Sequence, residues 1–121
     1  MTAAQALIRA DLTRPNELEP ELKLGWLAAL DGQIRQTLHL THEGCAEAAA
    51  RPVPEDPEAE LPVPPPWDEL YLRYLVMRID LENGELERYN ADAACFNRAW
   101  RDYAAHYVRT HRPLGAAKLN F

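Results

Sequence analysis

The chain has 121 residues, 47% of them apolar and 26% charged, a balance that suits a single folded domain and is wrong for a disordered one. Thirteen basic against nineteen acidic side chains leave a net charge of −6, which argues against wrapping nucleic acid on the outer surface. Cys45 and Cys95 sit in unlike contexts and read as free thiols in a reducing compartment; no signal peptide is visible after Met1, and no apolar run approaches the length of a membrane span.

Taken in chain order, the elements begin with Thr2 and Gln5, which form a capping box ahead of a short helix ending near Thr13. Ala4, Leu7, Ile8 and Leu12 make its apolar stripe, and Pro15 stops it. A second helix starts near Pro20, a residue suited to a first turn. Leu24, Leu27, Leu30, Ile34 and Leu38 recur at spacings of three and four and give it one apolar face with Trp26 at the edge. Gly25 and Gly32 each weaken this helix by roughly 1 kcal/mol relative to Ala, so close packing is expected there. Residues 41–66 follow as a proline-rich, acidic loop, with seven prolines between Arg51 and Trp67. That segment carries part of a charge asymmetry in which residues 1–66 hold the whole acidic excess. Proline fixes φ and removes donors, so the loop can be neither helix nor central strand and reads as an extended connector.

The stretch from Asp68 to Asn90 reads as one helix about 33 Å long. At 100° per residue, Leu70, Tyr74, Met77 and Leu81 fall on one line, while Leu72, Leu75, Val76, Ile79 and Leu86 gather nearly opposite. An ordinary surface helix buries one stripe. Here either both are covered inside the subunit, or one is buried and the other meets a neighbour. A last helix over Ala91–Thr110 puts Phe96, Trp100, Tyr103 and Tyr107 on one face and Arg98, Arg101, Asp102 and Arg109 on the other. It either pairs antiparallel with its predecessor or continues it with a kink. The expected architecture is all-α, a bundle of about four helices: a pair over 1–40, the loop, a hairpin or kinked pair over 67–113, and a tail over 114–121.

Chemistry-bearing constellations are few. His39, His42 and Cys45 have the residue types of a zinc site but lack a matching fourth ligand, and a helix end running into a polar loop accounts for them. Asp102 and His106 are a helical turn apart, yet the chain has no serine, so a serine triad is excluded. Cys95 lies in an alanine-rich helix and reads as structural. Asp80, Glu82, Glu85 and Glu87 alternate with arginines and read as solvated or interfacial ion pairs. No glycine-rich phosphate loop is present, and no catalytic, cofactor or metal residue is expected.

From Trp67 to Pro113 the chain resembles a small family of tailed phages and bacterial prophages, the head-tail connector (adaptor, or neck) proteins. The resemblance runs over WDELYLRYLVMRIDLENGELERYN, then Ala94, Phe96-Asn97, Tyr103-Ala104, Tyr107, Arg109-Thr110-His111 and Pro113, with a weaker part over Glu21–Ile34. Asn83-Gly84-Glu85 and Arg88-Tyr89-Asn90 are its most specific elements. It implies a structural virion subunit that oligomerises as a ring of about a dozen copies on the portal, made in the host cytoplasm and ending in the virion neck. The portal protein and the next neck or tail protein would be its partners, DNA only a passing cargo, with no membrane and no cofactor. Together with the stripe argument, this places the copy or partner interface on Leu72, Leu75, Val76, Ile79 and Leu86, with Leu119 and Phe121 of the tail. The alternative is a small helical adaptor or regulator of one protein partner.

Overall fold

The computed structural model describes residues 1–42, 57–58 and 60–112. Among these the fold is all-α, a small bundle of four α-helices: α1 (Ala3–Thr13), α2 (Pro20–Ile34), α3 (Glu69–Glu82) and α4 (Leu86–Thr110). The capping box stands as expected, with Gln5 N–H donating to Thr2 Oγ1 at 3.1 Å and Thr2 N–H donating to Gln5 Oε1 at 2.9 Å. α1 buries Ala3, Ala6, Leu7 and Ala10. Its inner face is therefore the small-residue line beside the expected stripe, and Ile8 and Leu12 point to solvent. Small side chains let α1 lie close against its neighbour; the larger aliphatic line is left outside.

α2 follows its expected pattern, burying Trp26, Leu27, Leu30 and Ile34. Beyond Ile34 the chain widens into one π-helical turn, Arg35–His39, closed by Leu40 N–H on Arg35 O at 2.8 Å, and this turn carries Leu38 and His39 into the interior. A Cβ placed on Gly25 or Gly32 would meet nothing within 4 Å, so the close packing expected there is absent.

The single helix expected over Asp68–Asn90 is two. Asn83 ends α3, Gly84 follows at φ 72°, and Glu85 leads into α4. Gly84 N–H donates to Leu81 O at 3.1 Å and Glu85 N–H to Asp80 O at 2.9 Å, the paired bonds of a Schellman stop. Glycine takes the left-handed conformation without steric cost. The chain therefore reverses after three residues, and α3 and α4 pack along each other.

α3 is the central helix: α1, α2 and α4 all pack on it, whereas α1 and α4 do not pack on each other. The described end of the proline-rich segment closes part of the remaining side. Leu61 N–H donates to Met1 O at 2.9 Å, Thr2 and Glu60 form an isolated antiparallel bridge, and Leu61 and Val63 join the core. The described part of that stretch is non-helical, as proline requires, but it bends and turns where an extended connector was expected, and it straps the core.

The glycines give a direct test. Gly25→Ala and Gly32→Ala are expected to raise stability by about 0.5–1 kcal/mol each, since the helix gains and nothing is displaced. Gly84→Ala is expected to lower it by about 1–2 kcal/mol. Urea unfolding midpoints of the three variants check both signs.

Candidate functional site

The residues expected to form an interface divide sharply. Leu72, Leu75, Val76 and Ile79 are all buried in the subunit's own core, and on the opposite stripe Leu70 and Met77 are buried too. Tyr74 of that second stripe meets Phe96 of α4 with ring centroids 5.1 Å apart. Apart from Leu81, which is 40% exposed at the end of α3, both stripes of α3 are thus covered within one chain, so Leu72, Leu75, Val76 and Ile79 are not open to a neighbour as expected. Leu86 belongs to the first turn of α4, not to α3, and is 62% exposed. Leu119 and Phe121 lie outside the described residues, as does Cys45.

The candidate chemical groups are engaged structurally. His39 is buried, with Nε2 2.8 Å from the Tyr103 hydroxyl. His42 Nδ1 donates to Leu38 O at 2.9 Å, and the rings of both histidines pack against Tyr107. His106 stacks on Trp67 with centroids 4.8 Å apart, which ties α4 to the segment entering α3. Cys95 is exposed on α4 and not a core thiol, since the alanine-rich face that carries it points outward. Among the described residues, no three His, Cys, Asp or Glu side chains gather as a metal site. Between α2 and α4 runs a groove of about 420 Å³ lined by Leu30, Gln33, Thr37, Phe96, Asn97 and Trp100. None of the six titrates near neutral pH, so the groove itself offers no acid or base.

Two buried polar clusters were not read from the sequence. At the start of α2, Lys23 is buried with Nζ 2.8 Å from Asp11 and 3.2 Å from Asn16 Oδ1, joining the end of α1 to α2. At the turn between α3 and α4, Asp80 is buried and accepts from Arg14 Nε at 3.1 Å, while Arg14 Nη2 is 3.7 Å from Asp92 of α4. Asp80 was expected among solvated ion pairs; the Schellman turn instead draws its end of α3 under Arg14. Asp80 Oδ1 and Asp92 Oδ2 are both buried without a donor. When protonated, the Asp92 carboxyl can donate to Asp80. Burial, then the hydrogen bond to Asp80 and the charge on Asp80, push Asp92 up to about 6, against the opposing pull of Arg14 and Arg73.

The exposed surface carries two further features. Ile8, Leu12 and Leu22 leave large aliphatic groups in solvent on α1 and at the start of α2. α4 runs for 25 residues with only Tyr103 fully buried, and among the described residues nothing packs on its outer face. No helix among the described residues is long and apolar enough to cross a membrane. No protein-family model, curated protein or solved structure matches the chain.

Two expectations follow. The folded state binds a proton at Asp92 that the unfolded chain, titrating near 4, releases. This group's stabilisation is therefore complete below pH about 4 and is lost as pH rises through 6. Asp92→Asn mimics the protonated carboxyl, so relative to the wild type it should gain about 1–3 kcal/mol between pH 5 and pH 8 in urea unfolding; parallel profiles contradict that protonation. Separately, Leu75→Asp or Ile79→Asp should abolish the helical circular dichroism signal, because both side chains are fully buried, whereas Leu86→Asp should leave it intact.

Proposed function

We propose that this chain is a structural subunit of the head-tail connector type, which acts by docking on protein surfaces and by repeating around a portal, with no catalytic chemistry of its own. The observation that carries the reading is the resemblance over Trp67–Pro113. Its span coincides with the α3–α4 hairpin, and its most specific element, Asn83-Gly84-Glu85, is the turn that sets the hairpin. The likeness therefore follows a folding unit with an exacting backbone requirement, not a shared composition. A long α4 with one face free supports a docking role.

The second reading, an adaptor or regulator of a single partner, is favoured by the burial of Leu70, Leu72, Leu75, Val76, Met77 and Ile79 within one chain. Such a subunit needs no neighbour to complete its core.

The connector reading places the gene among capsid, portal and tail genes. Mixed with the portal protein of the same genome and imaged by electron microscopy, the chain should decorate each portal ring in multiple copies. One copy per partner favours the adaptor. A gene set among metabolic enzymes overturns the connector.

A further inference from the structure

We propose that copies of this chain associate head to tail, the acidic edge where α1 meets α2 on one copy seating on the basic outer face of α4 on the next. The proposal rests on the reading of the chain as an assembly subunit and assigns the surfaces that such an assembly would use.

The first surface is fixed by the Lys23–Asp11 ion pair at 2.8 Å. That contact joins the last turn of α1 to the first turn of α2, and Leu12 and Leu22, each adjacent in sequence to one partner, are both exposed. Leu12 is 79% exposed, and Ile8, one turn earlier on α1, is 60% exposed. Covering such side chains yields roughly 25 cal/mol for each Å² of apolar area removed from water. Glu17, Glu19 and Glu21 are exposed on this edge and make no ion pair among the described residues. The nearby cations are committed elsewhere, Arg14 to Asp80 and Lys23 to Asp11.

The second surface is the outer face of α4. Arg98, Arg101 and Arg109 project from it, all exposed and without an ion pair among the described residues, and Asp102 is the one carboxylate between them. Val108, 49% exposed, and Ala105 supply apolar area along the same stretch. The two surfaces look away from α3 on different flanks, since α1 and α4 each pack on α3 and not on each other. A contact between unlike faces leaves one of each free on every dimer, so it propagates and closes into a ring when the rotation permits. Duplex DNA complements the arginines alone and is repelled by the carboxylates. A second copy complements both surfaces at once, and for that reason it is the occupant assigned.

Sedimentation velocity of the full chain at low salt, over a concentration series, tests the assignment. Glu17→Arg with Glu21→Arg reverses one surface, and Arg98→Glu with Arg101→Glu reverses the other. Each pair alone should keep wild-type helicity and weaken association about tenfold or more, because like charges then face each other. An equimolar mixture of the two should restore association, since each variant meets an oppositely charged face on the other. Leu12→Ser, at an exposed site, should weaken association without charge reversal. A wild type that stays monomeric throughout, reversals without effect, or a mixture that does not recover overturns the proposal. So does an arginine variant that loses duplex DNA binding while association is unchanged. Decoration of a portal without rescue in the mixture ends the surface assignment and leaves the connector reading standing; rescue in a chain that ignores the portal does the reverse.

Discussion

Everything in this subunit is arranged around the enclosure of α3. Six of its fourteen residues, Leu70, Tyr71, Leu72, Leu75, Val76 and Ile79, belong to the main apolar cluster, and they point in nearly all directions around the helix axis. Burying each large side chain contributes about 1.5–3 kcal/mol, so a helix apolar on two flanks gains only when both are covered. One wall cannot do this. α4 folds back along one flank, and α1, α2 and the strap at Leu61 and Val63 take the others. The reversal at Gly84 is thus the geometric condition for the core: a straight continuation would carry α4 away and leave the Tyr74 flank bare.

Polar contacts then fix how the walls sit. The Tyr71 hydroxyl, deep in the core, accepts from Val63 N–H at 3.0 Å, so the strap is held at one register on α3. His39 reaches α4 only because the π-helical turn advances it inward, and its bond to the Tyr103 hydroxyl couples the end of α2 to the far end of α4. Arg78 of α3 lies 4.8 Å over the Trp26 ring and ties α3 to α2. Each contact is modest beside the apolar core, yet a buried donor or acceptor left unmatched costs about 1–3 kcal/mol, so slipped arrangements of the same helices are penalised.

Much of this was legible in residue order. Periodicity located all four helices, the capping box and Pro20 marked two starts, and the inward aromatic face of α4 follows its spacing. The misreadings share one cause, which is that periodicity is blind to what the chain meets in space. Projecting Asp68–Asn90 as a continuous helix ran through Gly84, although Asn-Gly is itself a stop signal, and so assigned Leu86 to a stripe it cannot join. On α1 Leu7 of the expected stripe does turn inward, but close approach selects Ala3, Ala6 and Ala10 beside it and leaves Ile8 and Leu12 outside. Asp80 sits at a position where helical phase predicts solvent, and only the partner Arg14, 66 residues earlier, makes its burial possible.

Two apolar flanks on one helix were the sequence's argument for a neighbour, and the fold answers them internally. Two features remain on the outside: aliphatic groups on α1 where the packing chose alanines, and an α4 twice as long as α1 whose outer face has no counterpart among the described residues. Folding alone gives no use for an exposed leucine at position 12, or for Arg98, Arg101 and Arg109, which make no ion pair among the described residues. Charge of one sign stands at one end of the sequence and of the other sign on its last helix, each beside exposed apolar area. Surfaces of that composition are stabilised by being covered, so the case for association passes from α3 to α1 and α4.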